Sequence, residues 1–217
     1  MDNELDDVYS PDTDALLSRM SDHLASRFAG SFSPETVECY VRESYLALYR
    51  TARIKTHLHV LTQRFATDRL TALAQAKGFI PKPVCEVLFV CTQNAGRSQM
   101  AAALMEHHGQ GRVHVRTAGS QPASDLDPNV LIVLGEIGLD ASAEFPKPLT
   151  DDVVRAADVI VTMGCGDACP IHPGKRYLDW ALPDPQGKTL DEVREIRDLV
   201  DGKVRQLLAE FTLSPAS

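Results

Sequence analysis

Residues 86–108 read "EVLFVCTQNAGRSQMAAALMEHH". Four apolar residues, Val87 to Val90, run into Cys91; a short polar turn follows, then Arg97, then a helical pattern. A brief apolar run bounded by turn residues fits a strand buried on both faces, as parallel sheets require. A strand-to-helix turn can aim successive N–H groups into one concavity, and the helix N-terminus adds unpaired N–H groups and a positive dipole end. That concavity suits a tetrahedral oxyanion, so the candidate oxyanion-binding residues are Thr92, Gln93, Asn94, Ala95, Gly96, Arg97 and Ser98. Gly96 can take a positive φ and allows close backbone approach. Asn94 tolerates left-handed geometry and can brace the loop through its amide. Arg97 offers a planar fork for two oxygens, which a lysine would not reproduce. The same field, with a hydrogen bond from Ser98, should hold Cys91 as the attacking thiolate; an ordinary cysteine, with a pKa of about 8.5, is mostly protonated at neutral pH. A Cys-x5-Arg spacing alone is weak and could be a buried thiol beside a surface charge. Strand before, helix after, and Asn, Gly and Ser within the turn favour the anion-gripping loop.

Outward from this turn the chain alternates. Strand 86–90 and helix 98–108 are followed by strand 112–117 and a helix from Pro128 to about Ile137, capped by Asp127. A short helix begins at Thr150; strands are expected at 158–163 and 175–180, and a long helix at 189–211. Leu190, Val193, Ile196, Val200, Val204, Leu207 and Phe211 form one stripe on that last helix. Such alternation means an α/β domain: a doubly wound, mainly parallel, four-stranded sheet with right-handed crossovers. Ligands of such sheets lie outside the carboxyl ends of the strands, where Cys91 sits.

The first 82 residues read as helices only. Leu16 or Leu17, Met20, Leu24 and Phe28 share one face, and Gly30 ends that element. Ser33 caps a second helix with Pro34 at its first position and a stripe of Val37, Val41, Tyr45 and Leu48. A third, near 56–76, carries Leu58, Leu61, Phe65, Leu70 and Leu73 before Lys77-Gly78 closes it. The expected organisation is a small three-helix bundle over 1–82, a "PKP" linker at 81–83, and the α/β domain over 83–217. Two readings of the bundle stand: a face buried against a second copy, giving a homodimer, or an appendage packed on its own catalytic domain.

Net charge is −8, which argues against broad attraction to nucleic acid or an anionic membrane. Residues 1–82 carry 11 acidic and 10 basic groups and residues 83–217 carry 19 and 12, so net charge opposes anion binding and local geometry must supply it. No run approaches the ~18 apolar residues needed to span a bilayer, and the acidic start lacks a secretory pattern, so a cytoplasmic location is expected. Five cysteines, at 39, 85, 91, 165 and 169, suit free or redox-active thiols in a reducing compartment better than a disulfide framework. Cys39 and Cys85 read as packed small hydrophobes. The histidines have poor ligand spacing; Cys165 and Cys169 with His172 make at most part of a zinc site, and no metal is expected. Trp180 reads as packed near residue 184 or edging the site.

Cys91 to Ser98, continuing Gln99-Met100-Ala101, resembles the oxyanion loop of the low-molecular-weight tyrosine phosphatases, and more closely that of the arsenate reductases sharing their fold. The resemblance spans about 84–212 and includes "TAGS" at 117–120, "VTMGCGDACP" at 161–170 and "DWALPDP" at 179–185. The helical start resembles the extension ahead of some actinobacterial arsenate reductases. The resemblance implies Asp184 as general acid and a thiol relay. In it Cys91 attacks arsenate held by Arg97, Cys165 attacks the Cys91 sulfur, and Cys169 moves the disulfide to 165–169. It further implies no bound cofactor but an external thiol reductant, thioredoxin or the mycothiol/mycoredoxin system, with phosphate or sulfate as competing anions. In the mycothiol route Cys165 or Cys169 is a bystander. Reducing As(V) needs two electrons, which a thiol pair supplies and which phosphate hydrolysis does not require. Two other readings remain open: a phosphatase for phosphotyrosine or small esters, disfavoured because "DPQGK" offers no aromatic wall, and a non-catalytic oxyanion or arsenic sensor.

Overall fold

In a computed structural model, residues 8–52, 56–164 and 169–213 are described. They fall into two units divided after Pro81. The first unit is α1 (Pro11–Arg27), α2 (Pro34–Tyr49) and α3 (Leu58–Ala76). Ser10 and Ser33 start the first two helices alike: each hydroxyl accepts from a backbone N–H three residues on, with proline next to the cap. This satisfies one of the orphan donors at a helix start. Leu17, Met20 and Leu24 of α1 and Val37, Val41, Tyr45 and Leu48 of α2 are buried, and of the two leucines at 16 and 17 it is Leu17 that faces inward.

Helix α3 departs from the expected stripe. Leu61 and Leu73 are half-buried, while Thr62 and Arg69 join Leu58, Phe65 and Leu70 inside. Both polar side chains have partners, which makes their burial tolerable. Thr62 Oγ1 donates to Leu58 O at 2.7 Å. Arg69 reaches Ser44 Oγ at 3.2 Å and Glu43 Oε2 at 3.1 Å, and its guanidinium lies 4.5 Å from the Tyr40 ring centroid. Cys39 is also corrected: it is exposed rather than packed, with its sulfur 3.5 Å from Glu43 Oε1.

The second unit runs β1 (Cys85–Cys91), α4 (Arg97–Gly109), β2 (Val113–Gly119), α5 (Pro128–Gly135), α6 (Asp151–Ala156), β3 (Val159–Met163), β4 (Arg176–Asp179) and α7 (Leu190–Leu213). The strands lie in the order β2-β1-β3-β4 and every pair is parallel. The order reverses beside β1, which is the switch point where such sheets leave a crevice at the strands' carboxyl ends. There Cys91 is in register with Gly119 on one side and Met163 on the other.

Val87, Leu88, Phe89 and Val90 are fully buried, as a strand covered on both faces demands. Val87, Phe89 and Cys91 pack into one core with Met100, Leu104 and Met105 of α4, Val130 and Val133 of α5, and Val193, Ile196, Val200, Val204 and Leu207 of α7. Each such fully buried side chain contributes about 1.5–3 kcal/mol. Trp180 belongs to this core, 5.6 Å from Phe89, and is not at the pocket described below. Helix α5 stops at Gly135, two residues early, because Gly138 turns left-handed (φ 79°) and Leu139 N returns to Leu134 O; Ile137 is left exposed. No helix among the described residues is long and apolar enough to cross a membrane.

Candidate active site

The turn after β1 is held from outside. The carbonyls of Cys91, Thr92, Gln93 and Ala95 accept hydrogen bonds from the N–H groups of Ser120, Gln121, Ala123 and Asp127, at 3.2, 2.8, 2.9 and 3.0 Å. In a trans peptide the N–H of the next residue points opposite to the carbonyl. Pulling these carbonyls outward therefore turns the N–H groups of Thr92, Gln93, Asn94 and Gly96 to the inner side. Asn94 illustrates it: its N–H points at Cys91 Sγ, 3.2 Å away. Inward N–H groups, followed by the N-terminus of α4, make an anion cradle.

Of the two residues suited to a positive φ, Asn94 takes it, at 51°, while Gly96 has φ −133°. Gly96 is required for proximity: a Cβ there would lie 2.5 Å from Pro185 Cγ. Asn94 is fully buried, and its amide ties three segments together. Oδ1 accepts from Lys147 N at 2.8 Å and from Gln99 Nε2 at 3.2 Å; Nδ2 donates to Ser98 Oγ at 2.8 Å. A backbone N–H on Oδ1 fixes which end of the amide is oxygen. Since Ser98 Oγ accepts from that amide, its own proton is left for Cys91 Sγ, 3.0 Å away. Two donors, Ser98 O–H and Asn94 N–H, thus converge on a sulfur that is only 2% exposed.

Cys91, Gln93, Ala95, Gly96, Arg97 and Asp184 line one small pocket, together with Asp127, Pro185 and Gln186. Arg97, 8% exposed, donates from Nη2 to Asp184 Oδ2 at 2.5 Å. Asp184 Oδ1 accepts from Gln186 N at 3.0 Å. Among the described lining residues one cation meets two carboxylates, so an anion would be held by oriented N–H groups and the Arg97 fork rather than by excess charge. No described lining residue is aromatic. Thr92, Asn94 and Ser98 do not line the pocket: Thr92 Oγ1 donates to Gly164 O at 3.0 Å, and the buried Asn94 and Ser98 side chains bond one another. Gly164 is itself needed, since its φ is +73° and a Cβ would lie 2.8 Å from Arg97 Nη1.

Of the second thiol pair, Cys165 lies outside the described residues. Cys169 is buried and is not among the residues lining the pocket. Gly164, the residue before Cys165, touches the anion loop from the end of β3. Cys85 sits at the opposite end of β1; burial and then the negative charge of Asp158 push its thiol up, which suits an inert side chain. Sequence reasoning missed Gln186 and the pocket position of Asp127, read only as a helix cap, and had no reason for Gly119. A Cβ at Gly119 would meet Thr92 O at 2.8 Å and Asn94 Cβ at 2.9 Å, so the loop closes only over a glycine.

Residues 86–214 match the family model described as low molecular weight phosphotyrosine protein phosphatase, and residues 17–74 that of a protein-tyrosine-phosphatase-like N-terminal domain. A solved thioredoxin-dependent arsenate reductase from Corynebacterium glutamicum is 50% identical, with a TM-score of 0.84, over 93% of this chain and 98% of that one. A putative arsenate reductase of Halobacterium salinarum is 39% identical over 57% of this chain and 90% of its own. The glutaredoxin arsenate reductase of a Synechocystis species is 31% identical over 58% of this chain and 98% of its own.

Proposed function

The chain belongs to the low molecular weight phosphotyrosine protein phosphatase family, and from that premise we propose that it reduces arsenate to arsenite through Cys91. The observation that carries the reading is the convergence of Asn94 N–H and Ser98 Oγ on the sulfur of Cys91, a residue that lines one pocket with Arg97 and Asp184. The arsenate reductases similar to this chain support the choice of anion.

Arsenate enters with its oxygens against the inward N–H groups and the Arg97 fork. The Cys91 thiolate forms a sulfur–arsenic bond as one arsenic–oxygen bond breaks, and Asp184 gives that oxygen its proton so that it leaves as water. Arsenic is still pentavalent in this adduct. Cys165 then attacks the Cys91 sulfur: a disulfide forms, the sulfur–arsenic pair stays on arsenic, and arsenite departs. Cys169 displaces Cys91 from the mixed disulfide, leaving 165–169 for an external dithiol. Thioredoxin is the reductant favoured by the similarity to a thioredoxin-dependent reductase; with mycothiol, the small thiol itself resolves the Cys91 adduct. Both routes belong in a reducing cytoplasm. A second copy of the chain is the partner we favour for the helical unit, on which Val60 and Phe79 stay about half exposed.

An unsubstituted anion is favoured over an aryl ester because no described lining residue offers an aromatic wall. The test is disulfide mapping by mass spectrometry after mixing reduced protein with arsenate, with Cys165→Ser and Cys169→Ser alongside. A 165–169 bridge supports the relay. Dependence on mycothiol with no bridge supports direct resolution. No arsenate-dependent thiol oxidation would reject the reductase and leave ester hydrolysis or anion sensing.

A further inference from the structure

Arg97 has two duties that conflict in time. Its guanidinium holds Asp184 Oδ2 at 2.5 Å, and the same fork must take the oxygens of the anion. A carboxyl that is to act as an acid must also be protonated, which removes its charge attraction to arginine. Something uncharged has to keep Asp184 over the pocket during the step.

Two such contacts join the Asp184 segment to the anion loop. One is the approach of Pro185 to Gly96, where no side chain fits. The other is a hydrogen bond from Gln93 Nε2 to Gln186 Oε1, at 3.2 Å. Gln186 in turn donates its backbone N–H to Asp184 Oδ1 at 3.0 Å. The linkage therefore runs from the loop side chain at 93, through residue 186, to one oxygen of the acid. With Oδ1 occupied as an acceptor, Oδ2 is the oxygen left to carry the transferable proton. Neither neutral amide changes charge when the anion binds or when Asp184 gains or loses its proton.

We infer that Gln93 and Gln186 are positioning residues that hold Asp184 as general acid while Arg97 moves to the anion. The inference rests on the reading of Cys91 and Asp184 given above. Four proteins test it: wild type, Gln93→Ala, Asp184→Asn and the double variant, with Gln186→Ala as a second probe because it removes the side chain but keeps the backbone N–H. Steady-state arsenate turnover with excess reductant is measured, and melting temperatures check the fold. Gln93→Ala should lower kcat about tenfold with KM changed less than twofold, Gln186→Ala should match it, and Gln93→Ala should add nothing once Asp184 is Asn. A loss that recurs at full size in the Asp184→Asn background, or a loss confined to KM, overturns the inference. If wild type is not oxidised by arsenate, the reductase reading fails by itself. The same comparison on phenyl phosphate, whose phenolate is a poor leaving group that needs the acid's proton to depart as phenol, then decides between positioning of Asp184 and none.

Discussion

Asn94→Asp separates the reactivity of Cys91 from the folding of its loop. Asparagine and aspartate both tolerate the φ of 51° at this position, where alanine would lose about 1–2 kcal/mol. Aspartate also keeps an oxygen for the half-buried Lys147 N–H, whose loss in Asn94→Ala would leave a donor unsatisfied at up to about 1–3 kcal/mol. Asn94→Ala should therefore unfold early, while Asn94→Asp keeps the loop geometry and loses only what burying its carboxyl group costs. What aspartate lacks is the Nδ2–H that now occupies Ser98 Oγ at 2.8 Å. An oxygen there accepts the Ser98 proton instead and draws it away from Cys91 Sγ. A hydrogen bond to a charged group is worth about 1.5–3 kcal/mol, and each ~1.4 kcal/mol is tenfold, so Cys91 alkylation by iodoacetamide at pH 7 should slow about tenfold to a hundredfold. Peptide mass spectrometry reads the rate at each cysteine. Ser98→Ala, which adds no charge, should show a comparable loss. If Asn94→Asp folds normally and alkylates at the wild-type rate, the hydroxyl is not aimed by Asn94 and the donor arrangement deduced for the sulfur is wrong.

Gly96→Ala places a Cβ 2.5 Å from Pro185 Cγ and must lift the Asp184 segment off the loop. Overpacking of this kind costs about 1–3 kcal/mol in a melting or urea titration, and a shift near 1 Å at the acid can lower kcat by about a hundredfold. Cys85 should alkylate more slowly than Cys91 at neutral pH, because burial and then Asp158 hold its thiol above the ordinary value. The folded protein keeps that proton more tightly than the unfolded chain. The associated stability is full below the ordinary thiol pKa and is lost as pH rises through the raised one, a loss that Cys85→Val should not show in urea midpoints taken from pH 7 to 10. Arg69→Ala removes a buried guanidinium from Ser44, Glu43 and the Tyr40 ring and should destabilise the helical unit by about 2 kcal/mol, visible as an earlier helical melting phase by circular dichroism.

What was legible in the sequence is what local pattern encodes. The apolar run 87–90, the Ser33-Pro34 helix start and the stripe on α7 announce themselves within a few residues, and they place Cys91 at a strand end without further help. The anion loop was legible as a set of residues, but not in the division of labour within it. Asn94 and Gly96 were both candidates for a left-handed backbone; the choice fell to Asn94 because its buried amide meets Lys147 and Gln99, and Gly96 answers to Pro185, some ninety residues away. Gly119, Gly164 and Gln186 matter through contacts between segments that no local spacing reveals. The inward face of Arg69 is hidden for the same reason, since its partners lie on α2, whereas Thr62 is satisfied within its own helix by Leu58 O, so its polar character alone misleads.

The belt formed by residues 120–127 has a consequence for how such a chain can change over generations. Its grip on the loop is made through main-chain amides, which every residue except proline possesses. The identities of Ser120, Gln121 and Ala123 are therefore nearly irrelevant to the grip, whereas deleting one residue would slide the donors beyond it past their acceptors and loosen the cradle. Drift in spelling is harmless on this stretch; a change in count is not.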